Sequence, residues 1–402
     1  MKKLEQRVPN LRFKGFTDDW EQHKLEEMAE IVRGASPRPI KDKKWFDSNS
    51  TIGWIRISDV TAQNGRIYHL SQHISKLGQQ KTRVVIQPHL LLSIAASVGY
   101  PVINYIPTGV HDGFLIFNNP KFNINYMFYW LSKYQTNWKK YGQPGSQVNL
   151  NSSIVSNTKV RLPSLDEQAT ISNIFYQIDK ILSLQQRKLD LLKQLKKGLL
   201  QKMFADKDSK RPVLRFKGFH DDWEQRKLYE VADYRNGKAH EQHIYIHGNY
   251  IVVNSKFVST SGKAKKYSDK LIEPLMKNEI AFVLSDVPNG KALARTFLVK
   301  RSQKYTLNQR VAGITPHPNM NSYFLFILMN RNPYFLKFDD GVGQTNLSKK
   351  DVEQFNENYP TKREQQKIGE IFVKLDSLLT LQQQKLIKYQ SIKKSLLQQM
   401  LI

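Results

Sequence analysis

The chain has 402 residues, room for two or three domains, and its 40% hydrophobic and 11% aromatic content can fill real cores, which excludes a disordered polymer. Lys and Arg number 62 against 35 Asp and Glu, a formal charge of +27 that calls for a polyanionic partner, nucleic acid or an anionic surface. Cysteine is absent, which excludes disulfides and thiolate metal sites, and apolar runs such as 90–98 and 323–329 fall far short of the roughly 20 residues a membrane-crossing helix needs.

The start, MKKLEQRVPN, has neither the apolar stretch nor the small-residue cleavage site of a secretory signal, so a cytoplasmic location is expected. LRFKGFTDDWEQHKLEEMAEIVRG (11–34) follows. Its Asp18-Asp19-Trp20 turn and the spacing of Leu25, Met28, Ala29 and Val32 predict a short helix closed by Gly34. From 35 to 146 the pattern becomes strand-rich: IGWIRISDV (52–60), GRIYHL (65–70), TRVVIQ (82–87), HLLLSIAASV (89–98) and FLIF (114–117), separated by turn residues such as Asn64-Gly65 and Pro107.

At 162–204 the period changes to that of a long helix. Pro163, Ser164 and Glu167 make a capping-box start. Ile171, Ile174, Ile178, Ile181, Leu192, Leu195 and Leu199 then mark a seven-residue seam interrupted by Gln185 and Lys188. ADKDSKRPV (205–213) is charged, lacks apolar periodicity and reads as a linker.

The opening block then returns. LRFKGFHDDWEQRKLYEVADYRNG (214–237) repeats 11–34 at an offset of 203, the distance from Leu11 to Leu214. The long helix returns too, with Pro360 for Pro163 (offset 197), Thr361 and Glu364 at its start, and a seam of Ile368, Ile371, Leu375, Leu378, Ile392 and Leu396 interrupted at Gln382 and Lys385. A shorter echo, Q-x-N-L, precedes each helix at 147–150 and 344–347. The contents between the framing blocks, 35–146 and 238–343, share almost no identity. In the second, NYIVVN (249–254), EIAFVLSD (279–286) and ARTFLV (294–299) predict strands and 321–330 a helix, so each segment reads as an α+β globule. The chain is a tandem duplication with a repeated frame and unlike contents. A helix of about 38 residues spans roughly 57 Å, and two with matching seams predict an antiparallel pair that acts as a ruler, a generic oligomerising coiled coil being the plainer reading.

Catalytic signatures are missing. A DNA methyltransferase needs a Gly-rich loop for its methyl donor and an Asn-Pro-Pro-Tyr-like motif; Asn332-Pro333-Tyr334-Phe335 lacks the second proline and reads as a helix-end turn. No G-x-x-x-x-G-K-[ST] phosphate loop occurs. His240, His243 and His247 lack metal-site spacing and read as exposed polar or phosphate-contacting residues. Gly142, Gly145, Gly341 and Gly343 form lone pairs of the kind common in loops. What remains is an inventory for nucleic acid: Arg33, Arg38, Lys41, Lys43, Lys44, Arg56 and Arg66 beside Trp45, Trp54 and Tyr100, then Lys256, Lys263, Lys265, Lys266, Lys291, Arg295 and Arg310 beside Tyr267. Asn308-Gln309-Arg310 is the triplet best suited to base edges, Asn and Gln pairing with adenine and Arg with guanine. Each of these taken alone also reads as a solvated surface charge.

The paired RFKGF-x-DDWEQ-x-KL blocks, the paired P-x-x-x-EQ-x-x-I-x-x-I-F-x-x-x-D-x-x-L helices, the Q-x-N-L lead-ins and WIRISDV (54–60) resemble the specificity (S) subunits of type I restriction-modification systems over nearly the whole chain. The resemblance implies an α+β fold of two globular α/β target-recognition domains separated by two long antiparallel coiled-coil helices, a pseudo-twofold tandem repeat. On this layout 1–162 is the first recognition domain, 163–205 the central helix, 206–213 a linker, 214–359 the second domain and 360–402 the C-terminal helix. It further implies a non-catalytic subunit whose domains each read one half of a bipartite DNA site. Its expected partners are double-stranded DNA, two modification (methyltransferase) subunits and restriction (translocase/nuclease) subunits, with S-adenosylmethionine, ATP and Mg bound only by those subunits. A self-contained DNA methyltransferase or nuclease, and a basic DNA-binding regulator without modification partners, are the alternatives.

Overall fold

The computed structural model describes residues 7–95, 98–141, 150–206 and 209–402. The first Q-x-N lead-in (147–149), the glycine pair at 142 and 145, and part of the linker lie outside these residues. One compact unit comprises residues up to Arg187 together with Gln384–Ile402, the other Lys188–Gln383, so the division falls within each long helix.

In the first unit, β1 (Glu21–Lys24) feeds a one-turn helix, Leu25–Met28, and then β2 (Glu30–Arg33). The helix expected to run to Gly34 therefore stops early. Ala29 is fully extended (φ −163°), and Ile31 and Val32, β-branched and suited to strands, pair with Phe117 and Ile116 across the sheet. There follow β3 (Gly53–Trp54), β4 (Arg66–Ile67), β5 (Arg83–Val85), β6 (Leu90–Ser93), β7 (Pro101–Asn104), β8 (Thr108–Val110), β9 (Phe114–Asn118) and β10 (Lys159–Leu162). WIRISDV is strand only at its first residue. Helix Ile57–Ala62 begins after Arg56, whose N–H is taken up by Asp59 Oδ2 at 3.0 Å. A five-stranded sheet runs β2-β9-β6-β7-β4 beside a three-stranded one, β3-β8-β5.

The large sheet is buried on both faces. Leu90, Leu92, Leu115 and Phe117 point into a core with helix Ile124–Tyr134, while Leu91, Phe114 and Ile116 point into another with Ile55, Val60 and Ile67. Alternate residues thus enter different cores, which is why LLLS and FLIF read as unbroken apolar runs. Helix Ile124–Tyr134, absent from the sequence reading, starts at Asn123, whose side chain accepts from Asn125 N and Tyr126 N.

The second unit repeats the plan through β11 (Glu224–Lys227), β12 (Ala232–Asn236), β13 (Tyr250–Val253), β14 (Tyr267–Ser268), β15 (Ile280–Val283), β16 (Ser285–Asp286), β17 (Thr296–Leu298), β18 (Tyr305–Leu307), β19 (Val311–Pro316), β20 (Thr345–Asn346) and β21 (Asn356–Tyr359). Order β12-β19-β15-β17 matches β2-β9-β6-β7, and β13 pairs parallel with β18 as β3 does with β8. Ile280 and Phe282 face helix Ser322–Met329, while Ala281 and Val283 face the core of Ile251, Val253 and Phe257. Two segments without common sequence therefore share one topology.

The framing blocks close each unit. β1 pairs antiparallel with β10, and β11 with β21. Trp20 and Trp223 are each 2% exposed in their cores. Arg12 grips Glu167 with two hydrogen bonds of 2.7 and 2.8 Å, and Arg215 grips Glu364 with two of 2.8 Å. These Glu side chains therefore do not complete the capping box; only Ser164 Oγ, accepting from Glu167 N at 3.3 Å, matches that expectation. The next residue ties frame to module: Gln168 Oε1 accepts from Asn123 N, and Gln365 Oε1 from Asn321 N, at the starts of the two module helices.

The long helices are Leu165–Met203 and Lys362–Met400, 39 residues each. In the first unit Phe175 shares a core with Met400 while Asp179 bonds Lys393, so numbers rise on one helix as they fall on the other and the pair is antiparallel. In the second unit Phe372 shares a core with Met203 and Asp376 bonds Lys196. One seam column contains Ile171, Ile178, Gln185, Leu192 and Leu199, repeated as Ile368, Leu375, Gln382, Tyr389 and Leu396. The other runs through Phe175, Leu182, Leu189, Lys196 and Met203, repeated as Phe372, Leu379, Leu386, Lys393 and Met400. The second column is a correction: Ile174, Ile181, Leu195, Leu378 and Ile392 sit one residue outside it, and Ile371, offset in the same way, is still partly buried against the second core. Leu195 is 50% and Leu378 49% exposed, against 4% for Leu189.

Candidate nucleic-acid interface

The strand that leaves each framing block is fastened to a turn of the variable segment. Gly34 N donates to Phe114 O at 2.9 Å and Ala35 N to Val110 O at 3.0 Å, fixing the turn between β8 and β9. A Cβ at Gly34 would stand 2.2 Å from His111 O, so only glycine permits the approach. In the second unit Gly237 N donates to Val311 O at 3.1 Å and Lys238 N to Leu307 O at 3.0 Å, and a Cβ at Gly237 would lie 2.1 Å from Asn308 O. The residues held are His111-Asp112-Gly113 in one unit and Asn308-Gln309-Arg310 in the other, at the offset of 197 that relates the long helices.

Asp112 gathers the first turn. Arg33 Nε donates to its carbonyl at 2.7 Å, Ser36 Oγ to Oδ1 at 2.8 Å and Arg38 Nη2 to Oδ2 at 2.6 Å. Partial burial opposes ionisation, but the Ser36 hydroxyl and the charges of Arg38, His111 and Arg33 hold the carboxyl below its ordinary range. Burial keeps the neighbouring His111 ring below its usual value. In the second turn Asn308 Nδ2 donates to Gln309 Oε1 at 2.5 Å and Gln309 Nε2 to Glu241 Oε1 at 2.7 Å, with Gln309 and Arg310 exposed.

Other residues singled out from the sequence are scattered. Lys43 and Lys44 are exposed on the turn Lys43–Trp45, with Lys44 4.6 Å above the Trp45 ring and 2.9 Å from Asp42. Arg56 is exposed and pairs with Asp59 at 3.3 Å. Lys256, Lys263, Lys265 and Lys266 are exposed on helix Ser255–Ser259 and the segment after it. Lys291 is exposed and its carbonyl accepts from half-buried Arg295. Tyr100 is half-buried, packed against the core behind β7, with its carbonyl bonded to Ser93 N. Arg66 is a correction: it is 8% exposed, and its guanidinium donates to the Tyr105 hydroxyl, to Asn125 Oδ1 at 2.9 Å and to the Tyr129 hydroxyl at 3.0 Å, which leaves it within the module.

The histidines do not form an exposed trio. His240 is 1% exposed between Lys238 O and Thr306 Oγ1, both at 2.7 Å, and burial lowers its pKa; His243 pairs with Asp269 at 3.4 Å. Asn332 caps the turn Pro333–Leu336 and bonds Glu357, so its amide is engaged within the fold. Missed in the sequence were Ser36, His111, Asp112 and Glu241, together with two polar relays. Tyr129 Oη donates to Asp179 at 2.8 Å and Tyr323 Oη to Asp376 at 2.6 Å, the same carboxylates that bond Lys393 and Lys196. Burial, then the adjacent carboxylate, raises both phenols, so each remains a donor.

A family model described as the type I restriction modification DNA specificity domain matches residues 17–194 and again 220–389. The chain belongs to this family. A putative type I restriction enzyme MjaX specificity subunit from Methanocaldococcus jannaschii is 21% identical over 410 residues, 94% of this chain and 92% of that protein. The type I restriction enzyme MjaVIII specificity subunit of the same organism is 29% identical over 121 residues, a match that spans 28% of this chain and 27% of that protein. In fold, the chain is similar to the S subunit of a type I restriction-modification system from M. genitalium, with TM-score 0.65 and 15% identity over 98% of this chain and 99% of that one. A further fold likeness, TM-score 0.56 at 14% identity, covers 95% of this chain and 97% of a chain from work on complex assembly and conformational transition of the type I R-M system. The double family match falls on the two halves of the tandem repeat. Among the described residues no helix is long and apolar enough to cross a membrane.

Proposed function

We propose that this chain is the DNA-reading subunit of a type I restriction-modification complex, each module recognising one half of a split duplex site. The observation that carries this reading is the contrast between frame and contents. The two modules share a topology and anchor it through the same Arg–Glu, Gly and Gln contacts, yet present unlike side chains. A duplicated scaffold with different surfaces suits two different half-sites. The charge of +27 supplies phosphate attraction, so binding should weaken steeply as salt rises.

The paired helices serve as the spacer between half-sites and as docking surfaces for two methyltransferase subunits. Methyl transfer, translocation and cleavage, with S-adenosylmethionine, ATP and Mg, then belong to partner subunits in the cytoplasm. The missing donor loop and phosphate loop in the sequence support that division. Co-expression with the modification subunits of the same system is the test. A stable complex that methylates a split site, with the chain alone transferring no methyl group, is expected. Methyl transfer by the chain alone, or a chain that binds DNA but never joins a methyltransferase, contradicts the proposal.

A further inference from the structure

We propose that the turns at 111–113 and 308–310 are equivalent base-reading loops, with Asp112 setting part of one half-site and Gln309 with Arg310 setting part of the other. This rests on the split-site reading above.

The argument begins with position. Both turns join corresponding strands, β8 to β9 and β18 to β19, and both are pinned by two backbone hydrogen bonds from the end of a framing block. The glycine that permits this contact is repeated, Gly34 and Gly237, while the three residues it holds differ entirely. Conserving the clamp and changing what it presents is the arrangement expected of a reader, because rigidly held hydrogen-bonding groups discriminate better than mobile ones.

The chemistry of the two turns then differs in kind. Asp112 is a carboxylate, acceptor only, and its bonds to Ser36 and Arg38 leave lone pairs for an amino donor such as cytosine N4. Arg33 and Arg38 beside it are cations suited to the flanking phosphates. Gln309 retains one N–H and one lone pair after its bonds to Glu241 and Asn308, the pattern that suits adenine, and exposed Arg310 suits guanine. A carboxylate that only accepts and an amide–cation pair that both donates and accepts favour different base edges, so the two half-sites should differ.

The test is selection from a randomised duplex library by the purified full chain at one fixed salt concentration, followed by sequencing. Wild type should enrich a two-part motif. Asp112→Asn should lower enrichment of the preferred base pair at one position, in one half, by about tenfold, the discrimination a good base contact provides. Arg310→Ala should do the same in the other half only. Asp112→Ser and Gln309→Glu are second variants at the reading positions themselves if either first variant fails to fold. An unchanged motif in folded turn variants, or both turns altering the same half, overturns the assignment of the turns while leaving the split-site reading in place. Absence of any two-part motif for wild type overturns that reading and this inference with it.

Discussion

Glu167 and Glu364 are each 1% exposed, and each is neutralised by one arginine through two parallel hydrogen bonds. Removing the arginine leaves a buried carboxylate without its partner, a defect worth about 3 kcal/mol. Arg215→Ala is therefore expected to lower stability in denaturant by that amount, and Glu364→Gln by less, because the amide needs no counter-charge. Two histidines give the stability its pH dependence. Burial depresses His111 and His240 below the ordinary histidine value near 6.5, so the unfolded chain binds their protons more readily than the folded one. Their contribution is complete above about pH 6.5 and is lost as pH falls through the depressed folded values. Asp112, also depressed, loses its contribution in the more acid range below about pH 4. The melting temperature should hold from pH 8 to 7 and fall toward pH 5, with a shallower fall in a His111→Gln, His240→Gln double variant. An equal fall in that variant places the sensitive groups elsewhere.

For the secondary-structure elements, the phase of the long helices is decided by their neighbours. Adjacent apolar pairs such as Ile174-Phe175 and Ile181-Leu182 leave two seams equally apolar in sequence; packing into the module cores, where Phe175 meets Tyr129, selects Phe175 and its repeat Phe372, both at 0% exposure. Leu189→Ala should then cost about 3 kcal/mol, as a buried leucine does, whereas Leu195→Ala at a 50% exposed position should stay within about 0.5 kcal/mol by denaturant unfolding. Equal losses would restore the alternative seam. The framing blocks were legible because repetition at fixed offsets separates them from everything else. The long helices were legible because 39 residues of one period leave a clear signal. The short elements were not. Helix Leu25–Met28 ends where sheet pairing with β9, about 85 residues away, takes over the backbone. The Asp112 cluster joins Arg33, Ser36 and Arg38 across 74 to 79 residues, and no local pattern records such a meeting.

At the scale of the whole molecule, the duplication gives each of two unlike modules its own stretch of paired helix. If those helices set the spacer, inserting one heptad into both at matched positions adds about 10 Å, the rise of about three base pairs. The spacer in the methylated site should lengthen, whereas insertion in 178–199 alone should misalign the seam and abolish recognition; an unchanged spacer in the matched variant contradicts the ruler. The relays through Asp179 and Asp376 place a module tyrosine and the neighbouring helix on one carboxylate, so each module is tied to the pair rather than only joined to it by chain. The central claim, recognition of a split site by two different modules, is tested most directly by mapping modified bases in the genome of cells carrying the complete system, with and without this chain. Two short, unlike motifs at a fixed separation, absent when the chain is deleted, are the predicted result; a single continuous motif, or methylation that persists without the chain, would contradict it.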